Sequence, residues 1–301
     1  MSQTTIPVIL DTDIGNDIDD AVCLAYLLRQ PRCELVGITT ATGDTRQRAA
    51  LAAAVCDAAG RSDIPIHAGA TGPLLGGPGQ PTVPQYAAIQ DRPHRSDFPM
   101  DAVEYLRQTI RSRPGEITLL AIGPMTNLGL LFAIDPEIPS LLKELVLMCG
   151  VFTAANGHGP GAREWNALVD PIATAITYRA RPPRFTSIGL DVTTQCILPA
   201  DECRTRFTAA GGPLGVVAEM AEIWFHGRPH ITFHDPLAAA VIFQPDICDY
   251  ADGSVHIETY PERMAGLSRF DGKSEEKPHR IATQVRPDAF FAHYFTTVNP
   301  A

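Results

Sequence analysis

Residues 8–21 read VILDTDIGNDIDDA. Three apolar residues, Val8, Ile9 and Leu10, run into five aspartates within residues 11–20: Asp11, Asp13, Asp17, Asp19 and Asp20. The stretch that follows, Ala21 to Leu28, is apolar and reads as a helix. A strand that passes into a helix here holds the five carboxylates close together, where they repel one another. They must be protonated, solvated or balanced by a cation. A hard divalent ion with oxygen ligands is the economical solution. The placement agrees, because ligands of open α/β sheets bind outside the carboxyl ends of the strands, and a helix N-terminus favours negative groups. The plainer alternative is helix capping, which accounts for one or two of the five acids.

Outward from this stretch the chain alternates. Strands are expected at Val8–Leu10, Leu35–Thr40, Ile64–Ile66, Ile117–Ile122, Leu141–Met148 and Arg184–Ile188. Helices are expected at Ala21–Arg29, Gln47–Ala59, Asp101–Ser112, Pro171–Arg179, Val216–Phe225 and Pro236–Phe243. Alternation of this kind implies βαβ units, and so an α/β fold with an open, mainly parallel, Rossmann-like sheet flanked by helices. Polar residues follow the strands repeatedly: the aspartates, then Asp44, then Thr126 and Asn127, then Glu164 and Asn166. The pattern predicts one pocket at the C-terminal ends of the strands. Glu164 and Asn166, two apart, would share a face on a strand. Residues 69–84 and 149–160 are Gly-rich loops, and loops of such length are usually functional or mobile. There is no repeat and no composition break, so residues 1–301 read as a single domain, with 253–301 as a small appended layer.

Composition narrows the function. Lys and Arg number 24 against 34 Asp and Glu, a formal charge of −10, which excludes a general nucleic-acid binder. No apolar run is long enough for a membrane span, and the N-terminus lacks a signal-peptide pattern. Seven scattered cysteines, odd in number and without a CxxC, point to a reducing, cytoplasmic setting.

Across most of its length, from Ile9 to about Pro245, the chain resembles the nucleoside hydrolases, the N-ribohydrolases that cleave nucleosides to ribose and base. DTDIGNDIDDA is similar to their aspartate cluster, commonly Asp-x-Asp-Pro-Gly-x-Asp-Asp-Ala. ELVGITTATGDT, RSDIPIHAGA, PGEITLLAIGPMTNL, LVLMCG, EWNALVDPIA and FHDPLAAA resemble further blocks in the same order. The resemblance implies calcium-dependent hydrolysis of a ribonucleoside N-glycosidic bond. It implies calcium ligands at Asp13, Asp20 and Asp235 and at the main-chain carbonyl of Thr126. Asp19 would grip a ribose hydroxyl, Asp44 would lie near the ribose, and Met148, Glu164 and Asn166 would hold the sugar, with Asn156 the candidate for a further asparagine. His234 would stand near the leaving base. A role in nucleoside salvage and a homodimer or homotetramer are implied by the resemblance alone.

The chain departs from that pattern. Ile14 replaces the usual proline, residues 16–18 include two more than the common motif, and the family's His-Gly-x-x-Gly-Leu-Gly block is missing from 79–98. Aligning Asp19-Asp20 against Ala21 keeps the metal acids in place and leaves Asp17 as a rival ligand. An oxocarbenium-like transition state needs a nucleophilic water on one side and a less basic leaving group on the other. Asp13, beside the metal, is the candidate base for a water held there, and His234 the candidate acid. Two other readings stay open. A haloacid-dehalogenase-like phosphatase also begins with an Asp-x-Asp strand end, and a calcium-dependent ribose-binding protein would keep the pocket without turnover.

Overall fold

The computed structural model describes residues 4–76, 79–153, 159 and 161–299. The strands are β1 (Ile6–Thr12), β2 (Cys33–Thr40), β3 (Ile66–Ala68), β4 (Thr118–Ala121), β5 (Glu144–Met148), β6 (Phe185–Ile188), β7 (Ile197–Pro199), β8 (His230–Thr232), β9 (Cys248–Ile257), β10 (Ser268–Asp271) and β11 (His279–Val285). The helices are α1 (Asp19–Arg29), α2 (Thr45–Ala58), α3 (Ala102–Ser112), α4 (Thr126–Ile134), α5 (Ile138–Leu141), α6 (Trp165–Val169), α7 (Pro171–Arg179), α8 (Leu190–Thr193), α9 (Ala200–Ala210), α10 (Pro213–Phe225), α11 (His234–Phe243) and α12 (Pro287–Val298).

One sheet in the order β10-β9-β11-β6-β5-β4-β1-β2-β3 carries the fold, and β7 with β8 forms a small separate ribbon. From β3 to β11 the neighbours are parallel; β9 and β10 finish the sheet antiparallel. Successive side chains of a strand point to opposite faces. Val8, Leu10, Leu120 and Val146 therefore enter one core with α1, α2, α10, α11 and α12, while Ile9, Leu119, Leu145 and Phe185 enter a second with α3, α4 and α7. Burial on both faces explains why these strands read as unbroken apolar runs.

Helix boundaries follow local chemistry. Asp44 caps α2 by accepting from the Gln47 amide at 3.0 Å. Asp170 accepts from the Ala173 amide at 3.0 Å, with Pro171 in the first turn of α7. Helix α1 differs: its N-cap is Ile18 and no side chain caps it. Of the aspartates before it, Asp17 accepts from the Ile18 amide at 2.7 Å at the helix start.

Some expectations need correction. β1 runs on through Asp11 and Thr12, which pair with Thr39 and Thr40, so Asp11 is a strand residue. The third strand lies two residues later than expected. Glu164 and Asn166 stand at the start of the short helix α6, because the Glu164 carboxylate accepts from the Asn166 and Ala167 amides and caps it. Residues 253–301 are no appended layer: β9, β10 and β11 extend the main sheet, and α12 packs against α1 and α11. The seven cysteines are unpaired, and six are buried. Among the described residues no helix is long and apolar enough to cross a membrane.

Candidate active site

At the C-terminal ends of the parallel strands lies a cavity of about 460 Å³. Asp13 enters it from the turn after β1, Asp19 and Asp20 from the first turn of α1, and His234 and Asp235 from the first turn of α11. Met148 comes from the end of β5, and Glu164 and Asn166 from α6. Carboxylate oxygens of Asp19, Asp20 and Asp235 all lie within 4.8 Å of one another, and all three residues are buried. Three oxygen donors this close, with no cation among them, suit a hard metal ion.

Burial and mutual repulsion shape the charges. Burial, then the neighbouring acids, pushes Asp19, Asp20 and Asp235 well above the usual carboxylate range. Asp17 is raised too, chiefly by burial, with the amide of Ile18 and the Arg228 guanidinium pulling the other way. Asp13 is pushed up to about 6 by burial and held there against the opposing charge of Arg48. Asp11 lies deeper and reaches about 7, although Asn127 Nδ2 donates to both its oxygens at 3.0 and 3.1 Å. Thr12 Oγ1 donates to Asp20, and the Asp235 amide donates to Asp19 at 3.1 Å.

The sugar-side residues are held by main chain. The Glu164 carboxylate accepts from the amides of Asn166 at 2.6 Å, Ala167 at 3.0 Å and Gly150 at 3.2 Å. The buried Cys149 thiol also donates to this carboxylate, so its position is fixed from several sides. Asn166 Nδ2 donates to the carbonyls of Ile122 at 2.7 Å and Met148 at 3.0 Å. His234 Nδ1 meets Thr193 Oγ1 at 2.7 Å. Gly123 stands against Asp13, where a Cβ would come 2.8 Å from the Asp13 amide nitrogen, so only glycine lets the β1 turn settle there.

The structure brings Asp13, Asp19, Asp20, Met148, Glu164, Asn166, His234 and Asp235 to this one cavity. Two expected residues are elsewhere. Thr126 begins α4 and its hydroxyl donates to Asp170 at 2.8 Å, while Ile122, just past the end of β4, lines the cavity. Asp44 is exposed and spent as the α2 cap. Asn156 lies outside the described residues. Asp17 also faces the cavity, as do Gln80, Arg163, Trp165, Trp224 and Arg228. Arg228 stacks 4.5 Å over the Trp224 ring, and Trp165 Nε1 donates to Gln80 Oε1 at 2.6 Å. No spacing in the sequence singles out Gln80, Ile122, Arg163 or Arg228.

A family model described as inosine-uridine preferring nucleoside hydrolase matches residues 8–292. The chain belongs to this family. It is accordingly an N-glycosyl hydrolase acting on ribonucleosides. Among curated relatives of this nucleoside hydrolase, uridine nucleosidase 1 of Arabidopsis thaliana is 30% identical, over 89% of this chain and 84% of its own. The pyrimidine-specific ribonucleoside hydrolase RihA of Shewanella oneidensis is 33% identical, over 89% and 87%. A solved plant nucleoside hydrolase shares the fold with a TM-score of 0.85 at 23% identity, covering 98% of this chain and 99% of that one. A purine-preferring ribonucleoside hydrolase from Gardnerella vaginalis does so with a TM-score of 0.83 at 24% identity, covering 97% and 98%.

Proposed function

We propose that this nucleoside hydrolase is calcium-dependent and that Asp13 is its general base. The observation that carries the reading is the buried trio Asp19, Asp20 and Asp235 at the floor of the strand-end cavity. Asp13 lines the same cavity but is not one of the clustered three, among which Asp19, expected at a ribose hydroxyl, stands instead; we assign Asp13 to the donor set beside them. Ile122 lines the cavity and Thr126 does not, and on that ground we assign the main-chain contribution to Ile122. When bound, the ion supplies positive charge that balances the acids and orients the ribose hydroxyls and the attacking water.

The rest is the work of this chain's own side chains. Burial raises the Asp13 carboxyl above the usual range and a bound cation would draw it back down, so Asp13 is ionised at neutral pH and placed to take a proton from the nucleophilic water. Carboxylates surrounding the ring favour the positive charge that develops on the sugar. Glu164, held in the cavity wall by three amides and the Cys149 thiol, presents its carboxylate to a sugar hydroxyl, and the main-chain bonds to Asn166 Nδ2 fix how its amide is presented to the sugar. His234, steadied through Nδ1 by Thr193, is placed to protonate the departing base. Two relatives carry uridine and pyrimidine in their names, so uridine is the substrate to test first.

The test is ribose release from uridine, cytidine, inosine and adenosine, before and after calcium removal and re-addition. Release from uridine that vanishes with the chelator and returns with calcium is the expected result. Turnover indifferent to chelation overturns the metal assignment.

A further inference from the structure

Among the described residues Arg48 is the largest fully buried side chain, with 0% of its surface exposed, in an Ala-rich stretch of α2 where a charge is out of character. A buried guanidinium is tolerated only where its donors are satisfied. Here five carbonyls satisfy them, and they belong to three separate segments. Nε donates to Thr42 at 2.7 Å. Nη1 donates to Asp13 and, at 3.0 Å, to Ile14, on the turn that presents Asp13 to the cavity. Nη2 donates to Gln80 at 3.1 Å and Thr82 at 3.4 Å.

The segment gripped by Nη2 leads to the cavity rim. Gln80 is buried, and its side-chain Oε1 accepts from the Trp165 indole at 2.6 Å. Gln85 adds two bonds in the same sense, from its amide to Gly15 at 3.1 Å and from Nε2 to Asn16 at 3.0 Å. The Val83 side chain packs against Gly15, at φ +122°, so closely that a Cβ there would lie 2.4 Å from Val83 Cγ1. The enlarged aspartate turn and the rim are thus one bonded unit with Arg48 at its centre. A lysine there would keep the charge but, as a compact ammonium without the planar fork, would not span three segments.

We propose that Arg48 is a positioning residue that locks the Asp13–Gly15 turn to the Gln80–Thr82 rim, so that ion occupancy at the acids and closure of Trp165 over the substrate are set together. This rests on the metal-dependent reading of the cavity, and the test separates the two. Calcium uptake by the unaltered protein, measured by titration calorimetry, comes first; no uptake there refutes the reading of the site itself, and the proposal falls with it.

Given uptake, Arg48→Lys is expected to bind calcium at least tenfold more weakly and to show a raised KM that persists at saturating calcium, where kcat recovers. A residue that only supports the fold would lower the active fraction, reducing Vmax with calcium Kd and KM unchanged; that outcome overturns the proposal. The second measurement does not depend on the Arg48 variant folding. Trp224→Phe leaves Trp165 as the sole tryptophan of the two in the chain. Calcium is expected to shift its emission, and Gln80→Ala to abolish the shift while calcium Kd stays within about twofold. Emission that ignores calcium, or a shift that survives Gln80→Ala, overturns the coupling.

Discussion

The main-chain amide of Asp235 donates to the carboxylate of Asp19 at 3.1 Å, across a sequence separation of 216 residues. The first turns of α1 and α11 are joined by this bond, and both present acids to the same cavity. It constrains which aspartate of the enlarged motif holds the ion.

Asp20→Ala should lower calcium affinity by more than about 100-fold, because it removes a donor from the buried trio. Asp17→Ala should cost far less, since Asp17 faces the cavity but is not among the three clustered acids. Calorimetric titration of both variants decides. The reverse order would make Asp17 the ligand and Asp19-Asp20 its support.

Asp13→Asn replaces a carboxylate with an isosteric amide. The fold should persist, and kcat should fall by about 10²–10⁴-fold, the usual yield of general-base catalysis. Calcium Kd is measured alongside. Near-normal turnover with bound calcium would remove Asp13 as the base.

Chelation should destabilise the protein at neutral pH and scarcely at all in acid. The folded-state carboxyls of Asp11 and Asp13 are raised to about 7 and about 6, from an ordinary value near 4. Groups raised on folding bind protons more tightly in the native state, so their stabilising contribution is present below about pH 4 and lost as pH rises to about 7. Calcium restores stability over that same window by binding the ionised acids. Calorimetric Tm with and without chelator should diverge from pH 5 upward; equal differences at pH 4.5 and pH 7.5 would contradict this.

His279 gives the opposite pH dependence. Its Nδ1 accepts from the Val255 amide at 2.9 Å and Nε2 donates to the Tyr178 carbonyl at 2.8 Å, a pairing only the neutral ring can make. Burial holds it down to about 4. The unfolded ring protonates near 6.5, so this stability is full above that pH and drains away as pH falls toward 4, by up to about 3 kcal/mol. Urea unfolding of the parent and His279→Gln should show a gap that narrows between pH 6.5 and 4.

His234→Ala should harm uridine cleavage far more than cleavage of a nitrophenyl riboside, whose leaving group needs no proton. Steady-state rates on both substrates give the ratio. Equal losses would move His234 to a purely supporting place beside Asp235.

Much of this site was legible because chemistry and position coincide in the chain. Five aspartates between an apolar strand and an apolar helix have few explanations, and the HDP triplet that opens α11 repeats the theme. Strands were legible as unbroken apolar runs because helices cover both faces. Legibility failed where tertiary contacts decide. Nothing local distinguishes Thr126 from Ile122, since only the end of β4 determines which residue lines the cavity. Glu164 and Asn166 read equally well as a strand pair until the Gly150, Asn166 and Ala167 amides close on the carboxylate. Nothing local marks Arg48, because its carbonyl partners lie as far as 35 residues away.

The sheet closes on short strands at both ends: β3 has three residues and β10 four. β10 also carries Arg269 and Asp271. Short, charged borders are poor templates for strand addition. Copies of this chain are thereby discouraged from zipping together edge to edge, and any assembly falls to helix faces and loops, with the shared sheet left intact inside each subunit.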